Sequence, residues 1–202
     1  MKRLILGLMV LTLTWHIGTP AGAQPERGVW VEKAIFAGGC FWCMQPPYDE
    51  IPGVLSTTVG YTGGDLPDPS YEQVCTGKTG HAEAVEIEYD SRQVSYADLL
   101  EVFWQNIDPT SLNSQFADYG TQYRTAVFYL SEEQREQAEN SKAGMEQSGL
   151  FSGPIVTEIV PASEFYPAEE DHQKYYKKAP RAYEQYKTRS GRAGYLRKTW
   201  DK

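Results

Sequence analysis

Two cysteines three residues apart, Cys40 and Cys43, bracket the aromatic pair Phe41 and Trp42. The thiolate is the reactive form of cysteine, and a cysteine in such a pair near a helix start commonly has a lowered pKa. One turn of helix also places two residues at this spacing within disulfide reach. A thiol beside an aromatic wall indicates redox chemistry on an apolar substrate.

The position of the helix start is left open by Pro46 and Pro47. If the helix begins only there, Cys40 lies more than a turn upstream and gains little from the helix dipole. The backbone amides of the preceding glycine turn would then stabilise the thiolate instead. Adjacent aromatics are commonly core residues, but consecutive positions face different ways. At least one of Phe41 and Trp42 should therefore line the surface that the thiol shares.

A carboxylate stands out of place in the run HAEAVEIEY, residues 81–89. Strand alternation puts Glu83 on the face shared with Val85 and Ile87, whereas Glu86 and Glu88 point to solvent. Burial on an apolar face would raise the pKa of Glu83 and keep the group protonated, and a neutral carboxylic acid is a proton donor. The alternative is a strand-end carboxylate that reaches water or caps a backbone group.

Other polar and aromatic residues are weaker candidates when each is taken alone. Tyr71 and Tyr123 lie near turns and offer phenolic donors, and Asp118 precedes the second tyrosine stretch. His172 stands in an acidic setting at a predicted helix start and is a candidate for substrate binding. Cys75 is expected to be an inert, buried thiol.

Strands and helices interleave along the chain with short connections and no internal repeat. The pattern predicts strands over residues 33–37, 54–61, 81–89, 125–130 and 155–160, and helices over residues 43–51, 71–76, 95–106, 131–148 and 171–188. Residues 108–122 are polar and turn-rich, which suits a functional loop. One α+β sandwich is the expected fold class.

The first residues resemble a cleavable secretory signal peptide: basic residues precede an apolar run, and small residues end at Ala23. We expect a signal peptide over residues 1–23, an exported domain over residues 24–202 that is periplasmic or secreted, and no membrane span after processing. The net charge of −8 argues against nucleic acid as a partner. The basic residues near the C-terminus, including Arg192, are expected to form a solvated tail. Three cysteines leave at least one thiol unpaired or engaged in exchange.

Three motifs in order strongly resemble the A-type peptide-methionine sulfoxide reductases: GCFW at residues 39–42, GKTGHAEAV at 77–85 and YGTQYR at 119–124. EEDHQKYY at residues 169–176 fits the same family, and the resemblance runs from about residue 33 to residue 186. It implies a ferredoxin-like α/β sandwich with a mixed sheet and long loops. It also implies reduction of the S epimer of methionine sulfoxide, free or in oxidised proteins.

The resemblance also assigns roles by position. Cys40 would attack the sulfoxide sulfur and Glu83 would protonate its oxygen. Tyr71 and Tyr123 would act as further catalytic residues by hydrogen-bonding that oxygen. The substrate would be bound by Asp118 nearby and by Phe41 and Trp42 at its methyl group. Product methionine would leave Cys40 as a sulfenic acid, which a second thiol condenses to a disulfide. No metal or organic cofactor is required.

The chain departs from one family pattern, in which resolving cysteines sit in a C-terminal tail, because residues 191–202 contain no cysteine. Cys43 is the natural replacement, and a thioredoxin-like reductant would then reduce the Cys40–Cys43 bond. A rival hypothesis from the cysteine pair alone is a thioredoxin-like dithiol oxidoreductase, which should place the pair in a βαβ unit without Glu83. A zinc site of Cys40, Cys43 and His81 lacks a second close-spaced pair of ligands.

Overall fold

The computed structural model describes residue 28 and residues 30–200; the expected signal peptide over residues 1–23 lies outside the described residues. The main sheet has six strands, in the order Glu158–Pro161 (β7), Thr125–Tyr129 (β6), Val31–Gly38 (β1), Ala82–Asp90 (β3), Val54–Thr62 (β2) and Tyr166–Pro167 (β8). A separate two-stranded ribbon pairs Ser114–Gln115 (β4) with Asp118–Tyr119 (β5). A 3-10 turn follows at Thr121–Tyr123.

The helices are Phe41–Asp49 (α1), Tyr71–Cys75 (α2), Tyr96–Gln105 (α3), Glu132–Gln147 (α4), Tyr175–Lys178 (α5), Pro180–Arg189 (α6) and Arg192–Trp200 (α7). None of them is long and apolar enough to cross a membrane, as far as the described residues extend.

Two crossover units build the centre of the sheet. β1 and β2 are joined through α1 and both pair antiparallel with β3, while β3 and β6 are joined through α3 and both pair antiparallel with β1. The order β6-β1-β3-β2 is therefore that of a ferredoxin-like fold, and β7 adds a parallel edge next to β6. The predicted mixed-sheet α+β sandwich is confirmed.

The main core lies between the sheet and the helices α1, α3 and α4. Phe36 of β1 stacks on Tyr48 of α1 and on Phe103 of α3, with ring centroids 5.7 and 5.3 Å apart. Each fully buried aromatic of this kind stabilises the fold by about 2–3 kcal/mol through the removal of apolar surface from water. The strand that leads to Cys40 and the helix that follows this residue are thus anchored by packing.

Most predicted elements are confirmed, and the helix caps explain two of their boundaries. Ser95 and Asp98 cap the start of α3 reciprocally, and Ser131 accepts a hydrogen bond from the Gln134 backbone N–H at the start of α4. The strand predicted from residue 155 begins only at Glu158, where pairing with β6 begins.

The predictions for the C-terminal region are wrong in two respects. The helix predicted over residues 171–188 is broken, because Lys174 adopts a left-handed conformation with φ +53° and Pro180 begins α6. The expected solvated tail instead contains α7, whose first residue Arg192 is buried. Its guanidinium finds main-chain carbonyls inside the protein, a partner set that a local sequence pattern does not reveal.

Candidate active site

A glycine turn at the end of β1 delivers Cys40 to the start of α1. Gly39 has φ +82°, and a Cβ added there would lie 2.4 Å from Cβ of Gln115. Gly38 is equally confined, since an added Cβ would lie 2.6 Å from Sδ of Met44. Only glycine allows the strand to turn this tightly against its neighbours.

The helix begins directly after the first cysteine, which settles the alternative left open by the prolines. Cys40 is the N-cap residue of α1, and Pro46 and Pro47 lie inside that helix. The Cys43 backbone N–H donates to the Cys40 carbonyl at 3.0 Å. Cys40 and Cys43 therefore share the first helical turn, and both are free thiols in this structure.

Glu83 projects from β3 toward the same turn and is only 2% exposed. Its Oε2 accepts a hydrogen bond from the Phe41 backbone N–H at 3.1 Å. Burial raises the pKa of Glu83 from 4.5 to about 8, against the opposing effect of that hydrogen bond. Glu83 thus caps a backbone group, and its raised pKa favours the protonated form of its carboxyl at neutral pH.

The two thiols differ in acidity, and the thiol with the lowered pKa is that of Cys43 rather than, as the sequence had predicted, that of Cys40. Burial raises the pKa of Cys40 well above that of a free cysteine, and the hydrogen bond with Cys43 and the nearby Glu83 act in the same direction. The pKa of Cys43 is lowered, first by its hydrogen bond with Cys40 and then by the positive charges of Arg192 and Lys187. The position of Cys40 at the start of α1 therefore does not offset the rise in its pKa that burial beside Glu83 causes.

An aromatic wall extends from the cysteine turn. Phe41 is buried against His172, with ring centroids 5.4 Å apart. Trp42 is half-buried, stacks on Tyr175 at 3.9 Å, and donates from Nε1 to Nδ1 of His172 at 3.1 Å. His172 thus orients both aromatic rings, consistent with the placement of all three in the substrate-binding set.

The two predicted tyrosines and the predicted aspartate also converge here. Burial raises the pKa values of Tyr71 and Tyr123, and the negative charge of Glu83 raises both further, so both phenols lie within electrostatic reach of that carboxyl. Tyr71 packs on His172 with centroids 4.3 Å apart. Asp118 accepts a hydrogen bond from the hydroxyl of Tyr186, and burial raises the pKa of Asp118. The nine predicted site residues therefore belong to one region.

Sequence reasoning missed several residues that complete this region. Tyr186 of α6 donates a hydrogen bond from its hydroxyl to Asp118 and lies close to the Cys40 thiol. Glu169 accepts from the Tyr61 hydroxyl and from the Tyr71 backbone N–H, each at 2.8 Å, and so fixes the first turn of α2. The motif EEDHQKYY contains Glu169, so the sequence did carry a signal for this residue. No sequence signal distinguishes Tyr186 from the other tyrosines, of which the chain has fourteen in all.

The remaining predictions concern Cys75 and a zinc site of Cys40, Cys43 and His81. Cys75 is partly exposed rather than fully buried, because it ends α2 beside Tyr71, with which its side chain forms a hydrogen bond. His81 accepts at Nδ1 from the Gly64 backbone N–H at 3.2 Å and contacts the Leu66 carbonyl through Nε2 at 2.7 Å. Both ring nitrogens are thus engaged by the backbone. Within residues 30–200, no group of three or more His, Cys, Asp or Glu side chains is placed to hold a metal ion.

The arrangement provides a sulfur nucleophile, a neutral acid and phenolic donors around one point, with an apolar wall beside it. An acid that is protonated near neutral pH can protonate an oxygen as a nucleophile attacks the atom that bears it. The second thiol lies in the same helical turn and can trap an oxidised first thiol as a disulfide.

Comparisons with known proteins agree with this chemistry. Residues 32–202 match the model of the family described as "Peptide methionine sulfoxide reductase". The peptide methionine sulfoxide reductase MsrA of Bacillus licheniformis is 53% identical over 169 residues, which cover 84% of this chain and 93% of the relative. MsrA of Listeria innocua is 52% identical over 170 residues, covering 84% and 96%.

Solved structures agree as well. The crystal structure of Mxr1 from Saccharomyces cerevisiae in reduced form has a TM-score of 0.70 and 33% identity, covering 75% of this chain and 87% of that chain. Methionine sulfoxide reductase A of Corynebacterium diphtheriae has a TM-score of 0.66 and 37% identity, covering 78% and 77%.

Proposed function

The chain belongs to the peptide methionine sulfoxide reductase family and reduces methionine sulfoxide with thiols, and on that premise we propose which residues carry out each step. Cys40 is the nucleophile and Glu83 the general acid. The observation that carries this assignment is the carboxyl of Glu83, buried and bonded to the backbone next to the thiol, with its pKa raised to about 8.

The first step is a two-electron exchange between sulfur atoms. Cys40 Sγ attacks the sulfoxide sulfur while Glu83 transfers its proton to the sulfoxide oxygen, and the Glu83 carboxylate then takes up the proton that the Cys40 thiol releases. The oxygen ends on Cys40 as a sulfenic acid, and methionine leaves, so the substrate sulfur gains the two electrons that Cys40 loses. Donors placed where negative charge develops on the oxygen stabilise the transition state, which is the role we assign to the phenols of Tyr71 and Tyr123.

The substrate methyl group would lie against Phe41 and Trp42, whose rings are held by His172. Sulfoxide sulfur is chiral, so a site with an acid on one side and an apolar wall on the other can accept the oxygen in only one of two positions. Such a site distinguishes the two epimers, and we propose that it accepts the S epimer, as the resemblance to the A-type reductases implies, in free methionine sulfoxide and in oxidised proteins. Asp118, held by Tyr186, would contact the polar part of the substrate.

The second step closes a disulfide between Cys40 and Cys43 with loss of water, and an external dithiol reopens it by exchange. We propose a thioredoxin-like reductant as that dithiol. A structure of Mxr1 in complex with Trx2 is known for the yeast protein. We further propose that the protein is exported, from the composition of residues 1–23, so that the reductant must be available outside the cytoplasm.

The test is the reduction of the two purified epimers of a methionine sulfoxide peptide, with dithiothreitol as reductant, each followed by chromatography of the methionine product. We expect the S epimer to be reduced and the R epimer to be left unreacted. Equal rates on both epimers would refute the assigned geometry of acid and apolar wall.

A further inference from the structure

We propose that Arg192 is a positioning residue of the second chemical step, which holds the Cys43 side chain and its negative charge ready to attack the Cys40 sulfenic acid. This inference rests on the proposed role of Cys43 as the resolving thiol. It assigns a function to the C-terminal helix α7, which sequence analysis treated as a solvated tail.

The first argument is the burial of a charge without an ionic partner. Arg192 is only 2% exposed, and in the described part of the chain it forms no ion pair with a carboxylate. Desolvation of an isolated cation is unfavourable by several kcal/mol. The guanidinium instead donates to the carbonyl of Gly38 at 2.9 Å and to that of Asn106, and lies 4.7 Å from the ring centroid of Phe116. Neutral donors would satisfy the two carbonyls equally well, so of these contacts only the one with the Phe116 ring favours a positive charge.

The second argument is the location of that charge. A cavity of about 180 Å³ behind the cysteine turn is lined by both Cys43 and Arg192. Lys187 of α6 lines the same cavity and adds a second positive charge, while Glu50 at the end of α1 adds one negative charge. The thiolate of Cys43 is an anion that this buried cation can stabilise, and the carboxylate of Asp118 is another, because Arg192 lowers the pKa of both groups.

Every ionisable group that faces Cys43 enters the argument. The positive groups are Arg192 and Lys187, and both lower the pKa of Cys43. Asp118 acts in the opposite direction, and the remaining ionisable groups around the thiol are Cys40, Glu50, Glu83 and Tyr183. Of the two cations, the buried one is less screened by water and has the larger expected effect.

The hydrogen bonds of Arg192 also fix the position of the cysteine turn. By bonding the Gly38 carbonyl, Arg192 fixes the turn that precedes both cysteines, and its Nη1 lies 3.6 Å from Sδ of Met44 in the same helix as Cys43. In the reaction, the Cys43 thiolate attacks the sulfur of the Cys40 sulfenic acid, the S–S bond forms, and hydroxide leaves and is protonated to water. Reduction by an external dithiol later returns two electrons and releases the Cys43 thiolate, a leaving group that the same charge stabilises.

The experiment is a single turnover with one equivalent of S-epimer substrate and no reductant. Methionine formation and the loss of Cys40 sulfenic acid are timed separately. Samples are quenched with a dimedone probe, which traps the sulfenic acid. The variants are Arg192→Gln, Arg192→Lys and the control Arg197→Gln, whose exposed side chain on the same helix donates a hydrogen bond to the Ala193 carbonyl. We expect Arg192→Gln to form methionine at the wild-type rate but to lose sulfenic acid about tenfold more slowly at pH 7, with the pH midpoint of that step raised by about one unit. The other two variants should stay within about threefold of wild type.

Several outcomes would overturn the inference. They are an unchanged sulfenic acid lifetime in Arg192→Gln, an equal slowing of both steps, which would indicate a purely structural role, or a raised pH midpoint in Arg192→Lys. If Arg192→Gln does not fold, the pH midpoint of Arg192→Lys alone decides. A failure of the proposed function is distinguishable, because the wild-type protein would then form no Cys40–Cys43 bond at all.

Discussion

The two sides of the cysteine turn differ in their charge. On the substrate side, Cys40 faces Glu83 and Tyr186, groups that are neutral at pH 7, and burial raises the pKa of the thiol. On the opposite side, Cys43 faces the cations Arg192 and Lys187, and its pKa is lowered. The two sulfur atoms belong to one helical turn, yet they experience opposite electrostatic surroundings.

This difference matches the demands of two successive reactions. Transfer of oxygen from sulfoxide to thiol needs a proton donor that remains protonated near neutral pH, which a desolvated carboxylic acid provides. Disulfide formation needs a thiolate, which a cationic environment provides. Separate environments allow the two requirements to be met without compromise.

The most severe way to break the substrate side is Cys40→Ser. A serine hydroxyl is a far poorer nucleophile than a cysteine sulfur, so we expect reduction of methionine sulfoxide to be abolished, with the fold intact by circular dichroism. Residual activity above about a tenth of wild type would contradict the assignment of Cys40 as nucleophile.

Removal of the opposite thiol separates the two steps. We expect Cys43→Ser to reduce one equivalent of substrate and then to stall as the Cys40 sulfenic acid when a thioredoxin-type protein is the reductant. The measurement is methionine formed per enzyme molecule. The matched control is Cys75→Ser, which should turn over normally; sustained turnover by Cys43→Ser would exclude Cys43 as the resolving thiol.

A smaller effect is expected when only the acid is changed. Glu83→Gln keeps the hydrogen-bond acceptor for the Phe41 backbone N–H but cannot supply the proton, so the single-turnover rate of methionine formation should fall by about a hundredfold. Glu86→Gln is the control, because Glu86 lies on the same strand and pairs with Lys33 at 3.0 Å on the solvent side. An unchanged rate in Glu83→Gln would return Glu83 to a structural role.

Glu83→Gln also tests how much the buried carboxyl of Glu83 lowers the free energy of unfolding as pH rises. The pKa of Glu83 is raised from 4.5 to about 8 in the folded protein, so between these pH values the folded state holds a proton that the unfolded state has released, and stability falls as pH rises. The loss attributable to this group reaches about 4 kcal/mol by pH 8. Urea unfolding should show Glu83→Gln to be more stable than wild type at pH 8 and less different at pH 4.5. Equal differences at both pH values would contradict the raised pKa.

The substrate side was far more predictable from sequence than the opposite side. Strand alternation placed Glu83 on the buried face, and short motifs contained Cys40 and Tyr123, because these residues lie in elements whose pattern is local. Arg192 and Tyr186 reach the cysteines from helices about 150 residues further along the chain, through contacts that only the folded topology creates. The direction of the Cys40 pKa was wrong for the same reason: burial is a property of the assembled site.

The account depends most directly on which thiol closes the disulfide. Wild-type protein is treated with one equivalent of the S epimer without reductant, the free thiols are alkylated, and the peptides are mapped by mass spectrometry. We expect a Cys40–Cys43 bond with Cys75 fully alkylated. A bond between Cys40 and Cys75 would contradict the division of the two steps between the two sides of the turn.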